Sequence, residues 1–351
     1  MTWVTQLARP DIIALKAYEP AAWEPELERL HANELPWRSG ADESLAGLNR
    51  YPEPFPHELE KRLATLYGVN ADSVLVGRGS DEAIDVLLRG FCRAGQDSIL
   101  ICPPTFGMYS VSARIQGANV ITAPLLAESG FAFDEGALLE ECTPDVKLVF
   151  LCSPNNPTGN LLSEDSIINL TRALEGRAIV VVDEAYIEFS GTQSLARKVS
   201  ELPQLVVLRT LSKAYALAGA RCGTLIADPE IVALLRKVIP PYAIAQLSME
   251  AVFKALEPAE LSISRDRLAT IVSERARMLA AFPKLPNVMR VWPSASNFIL
   301  VEFEDVPLAL ARSRGARLLI RDVRGYPGLG HCLRITVGSP EQNNRLLDAF
   351  R

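Results

Sequence analysis

Residues 178–186 read AIVVVDEAY, in which five apolar residues run without interruption into two acids. A strand that is apolar at every position is typical of a parallel sheet covered on both faces. Five more stretches share this character: SVLVG (73–77), SILIC (98–102), KLVFLC (147–152), LVVLRT (205–210) and GTLIAD (223–228). We therefore predict a buried, mostly parallel sheet that occupies the middle of the chain.

Amphipathic stretches lie between these strands. DEAIDVLLRGFCR (81–93) and SEDSIINLTRALEG (163–176) have the apolar spacing of helices that pack on a sheet. Strands alternating with helices predict an α/β fold, with helices on both faces of the sheet. We assign residues 46–245 to this large domain.

The two ends of the chain differ from this pattern. After about residue 245, a long charged helical region (261–282) is followed by two strand-like stretches, RLLIRD (317–322) and HCLRITVG (331–338). We predict a smaller α+β domain over residues 246–351. Residues 1–45 are rich in Pro and Trp without clean periodicity, which indicates an N-terminal arm that packs onto another surface.

Composition narrows the classes of function. The net charge is −6 and the pI is about 5.4, so no basic stripe is available for nucleic acid. No apolar stretch approaches the ~20 residues of a membrane span, and no secretory signal is visible, which indicates a cytoplasmic protein. The six cysteines form no CxxC pair and the three histidines are far apart, so we expect buried thiols and no metal.

Unusual polar residues follow five of the predicted strands, where ligands collect in open α/β sheets. They are Gly79, Ser80 and Asp81; Phe106 and Tyr109; Asn155 and Asn156; Asp183, Glu184 and Tyr186; Thr210, Ser212 and Lys213. Each group also has a structural explanation: GRGSDE is a turn with Ser80 or Asp81 as a helix cap, and NNPTG is a turn. Their recurrence at successive strand ends favours a single site.

A lysine at such a site has a specific chemical use. An amine in a partly desolvated site has a lowered pKa and condenses with aldehydes. The aldehyde cofactor that uses such a lysine is pyridoxal phosphate, which needs an acid near its ring nitrogen, a phosphate cradle and groups for its ring oxygen and ring face. Residues of these types stand at the predicted strand ends.

SPNNPTG (153–159), VVDEAY (181–186) and SKAYALAGAR (212–221) resemble the signature blocks of fold-type I pyridoxal-phosphate aminotransferases. With LNRYPEP (48–54), CPPTFGMYSVSA (102–113), DEAYIEF (183–189), RTLSKAYALAGARCG (209–223) and CLRITVG (332–338), the set is similar to the histidinol-phosphate aminotransferase family. These blocks extend over nearly the whole chain. The resemblance implies amino transfer between histidinol phosphate and the glutamate/2-oxoglutarate pair, in a homodimer.

The resemblance also implies a role for individual residues. Lys213, Asp183 and Tyr186 are the expected catalytic residues: Lys213 bonds covalently to the cofactor, Asp183 pairs with its ring nitrogen, and Tyr186 and Asn156 bind its ring oxygen. The expected phosphate-binding residues are Ser80, Asp81, Ser212, Arg221 and, from the neighbouring subunit, Tyr51. The family often has tyrosine where Phe106 stands; phenylalanine retains the ring face for stacking but lacks the hydroxyl.

The expected substrate-binding residues are Arg334, Arg321, Tyr18 and Asn156, because guanidinium groups bind phosphate and carboxylate alike. Alternatives remain within the resemblance: an aromatic amino-acid aminotransferase and a threonine-phosphate decarboxylase share the cofactor blocks. A nicotinamide dehydrogenase would use the GRGSDE turn, but Glu82 stands where its third glycine should be. A non-catalytic regulator would need an added DNA-binding domain, for which the chain has no room.

Overall fold

A computed structural model describes residues 3–351 of the protein. Its larger sheet contains all the strands predicted between residues 73 and 228, and one more. The seven strands are β1 (Val74–Gly77), β2 (Ser98–Ile101), β3 (Asn119–Thr122), β4 (Val146–Cys152), β5 (Ile179–Asp183), β6 (Leu205–Thr210) and β7 (Gly223–Ile226).

The spatial order of the strands is β1-β7-β6-β5-β4-β2-β3. β7 runs antiparallel to both of its neighbours, whereas all other pairs are parallel. The mostly parallel sheet predicted from the sequence is therefore confirmed. The carboxyl ends of the six parallel strands meet at one edge, because only β7 is reversed.

Alternate residues of each central strand pack on opposite faces of this sheet. Val180 and Val182 of β5 belong to a core that also contains Leu170, whereas Val181 belongs to a separate core that contains Ile84. Both faces are buried, which explains why these strands have no polar face.

Helices cover both faces of the sheet and lie at the two ends of the chain. Within the described residues, the α-helices are α1 (Trp3–Gln6), α2 (Pro10–Ala14), α3 (His57–Tyr67), α4 (Ser80–Phe91), α5 (Met108–Gln116), α6 (Glu135–Glu141), α7 (Glu164–Ala173), α8 (Pro229–Leu235), α9 (Gln246–Ala255), α10 (Pro258–Ala281), α11 (Val306–Gly315) and α12 (Pro340–Phe350). None of the helices within residues 3–351 combines the length and apolar character that crossing a membrane requires. All six cysteines are buried free thiols, as predicted.

A second, antiparallel sheet follows α10. Its strands are β8 (Val288–Val291), β9 (Phe298–Phe303), β10 (Arg321–Asp322) and β11 (Cys332–Thr336), in the order β10-β11-β9-β8. The strand predicted over 317–322 is too long. Arg317 has a left-handed φ of 57° and the Leu318 N–H binds the Ser313 carbonyl, so this part caps α11 instead.

The start of the N-terminal segment packs beside the large sheet. Val4 of α1 is fully buried in the same core as α4 and α8. Residues 15–56 contain neither helix nor strand and are largely exposed. The boundaries at 45/46 and 245/246 between arm, large domain and small domain stay a prediction.

Candidate active site

A cleft opens at the carboxyl edge of the large sheet. It holds about 600 Å³ of empty space, part of it open to solvent. Five strand ends contribute to its walls, as the sequence predicted. The lining residues are Gly79, Ser80, Asp81, Phe106, Cys152, Asn156, Asp183, Ala185, Tyr186, Thr210, Ser212, Lys213, Ala218 and Arg221.

One wall of the cleft is the start of α4, where two backbones approach closely. A Cβ on Gly223 of β7 would lie 2.4 Å from the Gly79 carbonyl carbon, and one on Gly79 (φ 83°) would lie 2.7 Å from Arg221 Nη2. Glycine at both positions keeps the first turn of α4 open beside a guanidinium group. Gly79 is the N-cap residue and no side chain caps the helix, so the expected cap from Ser80 or Asp81 is wrong.

The same wall is suited to an anion. The first N–H groups of a helix have no partner within it, and the helix dipole favours negative charge there. Arg221 approaches this end of α4 with a left-handed φ of 52° and its Nη2 lies 3.3 Å from Asp81 Oδ2. Ser80 and Ser212 add hydroxyl groups to the cleft. A phosphate group therefore fits this wall.

Asp183, at the end of β5, is a buried acid at the base of the cleft. Its Oδ2 accepts a 2.8 Å hydrogen bond from the Tyr109 hydroxyl, and its Oδ1 accepts a 3.1 Å bond from the Ala185 N–H. Burial raises the pKa of Asp183 to about 6, although both donors lower it. A carboxylate held in this way favours a cation opposite it, such as a protonated ring nitrogen.

Lys213 extends into the cleft from the segment after β6. Its Nζ lies 5.7 Å from the centre of the Tyr186 ring. Partial desolvation, followed by the positive charge of Arg334, lowers the pKa of the Lys213 amine below its ordinary value. A larger fraction of neutral amine is therefore available near neutral pH, and this is the form that attacks a carbonyl carbon.

Asn156, Tyr186 and Arg334 form a chain of contacts between the two sheets. Asn156 Nδ2 donates to the Tyr186 hydroxyl over 3.3 Å, and Arg334 Nη1 donates to Asn156 Oδ1. The Arg334 guanidinium also lies 5.1 Å from the centre of the Phe298 ring. Because Arg334 is largely desolvated, its pKa is lowered. β11 therefore places a partly buried cation beside the cleft.

Four predicted residues lie outside the cleft lining: Arg334, which reaches it through Asn156, and Arg321, Tyr18 and Tyr51. Arg321 is exposed on the edge strand β10, directly opposite Arg334 in register. Tyr18 is 70% exposed and Tyr51 is 52% exposed, both on the N-terminal segment. The Tyr51 ring centre is 4.9 Å from that of Tyr242. Their roles in binding stay predictions.

Some contributions to the cleft were not evident from the sequence. Tyr109, predicted only as a polar residue that follows a strand, lies fully buried in the first turn of α5, where it reaches Asp183. Tyr109 follows Phe106 by three residues, the spacing of neighbours on one face of a helix, and this spacing could have indicated that both rings face the site. The centres of the two rings lie 5.6 Å apart, edge to face. Cys152, at the end of β4, lines the cleft although the sequence did not single it out, and the predicted Thr210 lies there as well.

Comparisons with known proteins match this geometry. Residues 30–350 match the family described as aminotransferase class I and II. A histidinol-phosphate aminotransferase of Stenotrophomonas maltophilia (strain R551-3) is 46% identical over 352 residues, covering 99% of this chain and 96% of that protein.

Two solved structures share the fold. The histidinol-phosphate aminotransferase of Sinorhizobium meliloti in complex with pyridoxal-5'-phosphate has a TM-score of 0.77 at 24% identity, covering 86% of this chain and 82% of that one. The L-threonine-O-3-phosphate decarboxylase of Porphyromonas gingivalis has a TM-score of 0.72 at 25% identity, covering 86% and 90%. The predicted fold class is confirmed.

Proposed function

Because the chain belongs to the class I and II aminotransferase family, we propose that it transfers the amino group of L-histidinol phosphate to 2-oxoglutarate. The products are imidazole acetol phosphate and glutamate, and the reaction serves histidine biosynthesis. The cofactor is pyridoxal 5'-phosphate. The observation that carries the proposal is one cleft in which the Lys213 amine, the buried Asp183 carboxyl and the open start of α4 meet. The full-length similarity to a histidinol-phosphate aminotransferase supports the choice of substrate.

The residues at the cleft would hold the cofactor at four points. Ser80, Ser212, Arg221 and the first N–H groups of α4, including that of Asp81, bind its phosphate. The Asp81 side chain pairs with Arg221 and so fixes the guanidinium at this wall. When bound, pyridoxal phosphate supplies a cationic ring that accepts the electrons left on the substrate's Cα.

Asp183 holds a proton on the ring nitrogen. A buried carboxylate with two fixed donors cannot be solvated by water, so a cation opposite it relieves the cost of burial. Asn156 and Tyr186 would donate hydrogen bonds to the ring oxygen, and Phe106 would pack on a face of the ring. These contacts orient the ring against Lys213.

Lys213 moves the proton during transfer. With the cofactor and substrate bound, the Lys213 Nζ would take the proton from Cα of the substrate as a base and return it as an acid. The lowered pKa of Lys213 favours this role, because a general base works best when its pKa is near the operating pH. Because the amino donor and the accepting keto acid would use this site in turn, we expect ping-pong kinetics.

Arg334 binds the anionic group of each substrate. Histidinol phosphate carries a phosphate and glutamate carries carboxylates, and a guanidinium fork accepts both. Arg321, opposite Arg334 in register, adds a second positive charge at the entrance. Tyr18 from the N-terminal segment completes this part of the site.

We place the enzyme in the cytoplasm as a homodimer with shared active sites. The six free thiols suit a reducing compartment. Within residues 3–351, ten of the eighteen exposed large apolar side chains lie between residues 15 and 51, and Leu30 is 94% exposed. Such a concentration favours burial against a second subunit, and Tyr51 would then reach the phosphate of the partner's cofactor.

Donor profiling tests the choice of substrate. Purified holoenzyme is given 2-oxoglutarate with histidinol phosphate, phenylalanine, tyrosine or threonine phosphate, and glutamate and carbon dioxide are measured. We expect kcat/KM to be highest for histidinol phosphate. Higher kcat/KM with phenylalanine or tyrosine would identify an aromatic aminotransferase, and carbon dioxide released from threonine phosphate without keto acid would identify a decarboxylase.

A further inference from the structure

A buried ion-pair cluster of Arg209, Glu184, Glu188 and Tyr67 lies behind the cleft, on the opposite face of the large sheet. Arg209, in β6, is its only cation among the residues the structure describes there, and its side chain is 7% exposed. Arg209 Nη2 donates to Glu188 Oε1 over 2.6 Å, and its Nη1 lies 3.7 Å from Glu184 Oε2. The guanidinium also lies 4.6 Å from the centre of the Tyr67 ring.

Strand alternation explains how this cluster relates to the cleft. Asp183 and Glu184 are consecutive, so their side chains leave β5 on opposite faces. Asp183 enters the cleft, whereas Glu184 is buried on the face of Val180 and Val182, where its side chain is 2% exposed. The Glu184 N–H binds the Leu208 carbonyl over 3.0 Å, which joins the two strand ends next to Arg209.

Glu184 is fixed on all sides. Its Oε1 accepts the Leu195 N–H over 2.8 Å, and its Oε2 accepts the Ser194 hydroxyl. Burial raises the pKa of Glu184 to about 7, against the lowering effect of Arg209. Removing the arginine would leave a carboxylate without its counter-charge in a desolvated place.

Arg209 is linked to both segments that carry the reactive groups. Its partner Glu188 lies in the short 3₁₀ helix Ile187–Phe189, directly after Tyr186. On its own segment, Arg209 precedes Lys213 by four residues. None of the four cluster residues lines the cleft, so any effect on chemistry must pass through the residues that do.

We propose that Arg209 is a positioning residue, which sets the placement of Asp183 and Tyr186 relative to Lys213 by binding Glu184 and Glu188 together. The inference rests on the proposed function, since it concerns how the same three residues are held for proton transfer. A guanidinium fork can serve two carboxylates at once, whereas a lysine ammonium at the same place is a single point charge.

Two substitutions test this role. Arg209→Lys retains the charge and removes the fork; Glu188→Gln retains an acceptor for Arg209 and removes one charge. The matched control is Glu60→Gln, because Glu60 is also a buried acid and pairs with Arg236 at 2.8 Å, away from the cleft. Each protein is reconstituted with pyridoxal phosphate. Three measurements are made on each holoenzyme: kcat, KM, and the pH at which the visible absorption of the bound cofactor is halfway through its change. The unfolding temperature is measured on the apoprotein.

We expect Arg209→Lys to move the pH midpoint and to lower kcat by roughly 10- to 100-fold, the scale of a small misplacement of reacting groups. KM for the amino donor should change little, because Arg334 is untouched. Glu188→Gln should move the midpoint and lower kcat to a smaller extent. Glu60→Gln should lower the unfolding temperature alone.

The opposite result is equally clear. In that result, Glu188→Gln keeps the wild-type pH midpoint and kcat and shows only a lower unfolding temperature. The cluster would then have a structural role alone and the proposal would be overturned, even if Arg209→Lys failed to fold. Failure of the wild-type protein to bind pyridoxal phosphate would instead contradict the proposed function, so the two failures are distinguishable.

Discussion

The hydroxyl of Tyr109 donates a 2.8 Å hydrogen bond to Oδ2 of Asp183, between two residues that are 74 positions apart and both buried. The Tyr109 ring is itself stacked on Phe150, with centres 4.8 Å apart. A fixed donor therefore holds one oxygen of the acid at the base of the cleft. It favours the charged form of Asp183, which the cofactor's ring nitrogen requires.

Tyr109→Phe should weaken cofactor binding. The variant keeps the stacked ring but deprives the Asp183 carboxylate of one of its two donors, which raises its pKa further. We expect the dissociation constant for pyridoxal phosphate to rise roughly tenfold, equivalent to about 1.4 kcal/mol, in equilibrium dialysis. Tyr67→Phe, which keeps the ring that packs on Arg209, is the control. Equal affinities in wild type and Tyr109→Phe would contradict this role.

Asp183→Asn should make the apoprotein more stable at high pH. The pKa of Asp183 is about 6 in the fold and 3.8 ordinarily, so the folded state binds more protons between these values. Its contribution to stability therefore falls as pH rises, by at most roughly 3 kcal/mol once pH exceeds 6. Residue 183 does not titrate in the variant. The difference in free energy of unfolding between the variant and the wild type, measured in urea, should therefore be smaller at pH 5 than at pH 8.

Asp183→Asn should also weaken the binding of pyridoxal phosphate, because a neutral amide no longer favours a protonated ring nitrogen. The loss of affinity for the cofactor is thus a second readout for the same variant. An advantage in the free energy of unfolding that stayed constant between pH 8 and pH 5 would show that the gain does not come from the titration of Asp183.

Arg334→Lys should raise KM for both anionic substrates. An ammonium cannot replace the two parallel hydrogen bonds of a guanidinium fork, so we expect KM for histidinol phosphate and for 2-oxoglutarate to rise about tenfold or more. Arg290→Lys is the control, since Arg290 lies exposed on β8 over the Trp292 ring. A rise confined to one substrate would mean that the two anions bind at different places.

Mixed dimers should reveal whether sites are shared. Chains carrying Lys213→Ala are refolded with chains carrying Tyr51→Ala, and each hybrid then contains one intact site if Tyr51 acts across the interface. Activity should reach roughly a quarter of wild type, because half of randomly paired twofold dimers are hybrids with one intact site of two.

A matched control places both substitutions in one chain. When that chain is mixed with wild type, each hybrid has one site without Lys213 and one without the partner's Tyr51, so no site in a hybrid is intact. Activity per hybrid that is equal in the two mixtures, or higher in this one, would show that Tyr51 does not act across the interface.

Much of the cleft could be predicted because it follows from local sequence. Continuous apolar runs identified the strands, and parallel order brought their carboxyl ends together, which placed Ser80, Phe106, Asn156, Asp183 and Lys213 in one cleft. Individual strand ends were less accurate, as at Arg317, because helix caps compete with strand pairing for the same residues.

Long-range side-chain contacts could not be predicted in this way. The partners of Tyr109 and Arg209 depend on how α5 and the 3₁₀ helix Ile187–Phe189 pack against the sheet, and no local pattern records this. The binding roles of Tyr51 and Tyr18 also could not be derived from local sequence. Tyr51 is proposed to contact the phosphate of the partner's cofactor, and the role of Tyr18 stays a prediction.

The central claim is that the amine of Lys213 bonds covalently to the cofactor's aldehyde carbon. Borohydride reduction of the holoenzyme makes such a bond permanent, and mass mapping of the peptides then locates the cofactor. We predict a single adduct on Lys213 in the wild type and none in Lys213→Ala, which should still bind the cofactor through Asp183 and the phosphate-binding residues. An adduct on another lysine, or wild-type turnover by Lys213→Ala, would contradict the account.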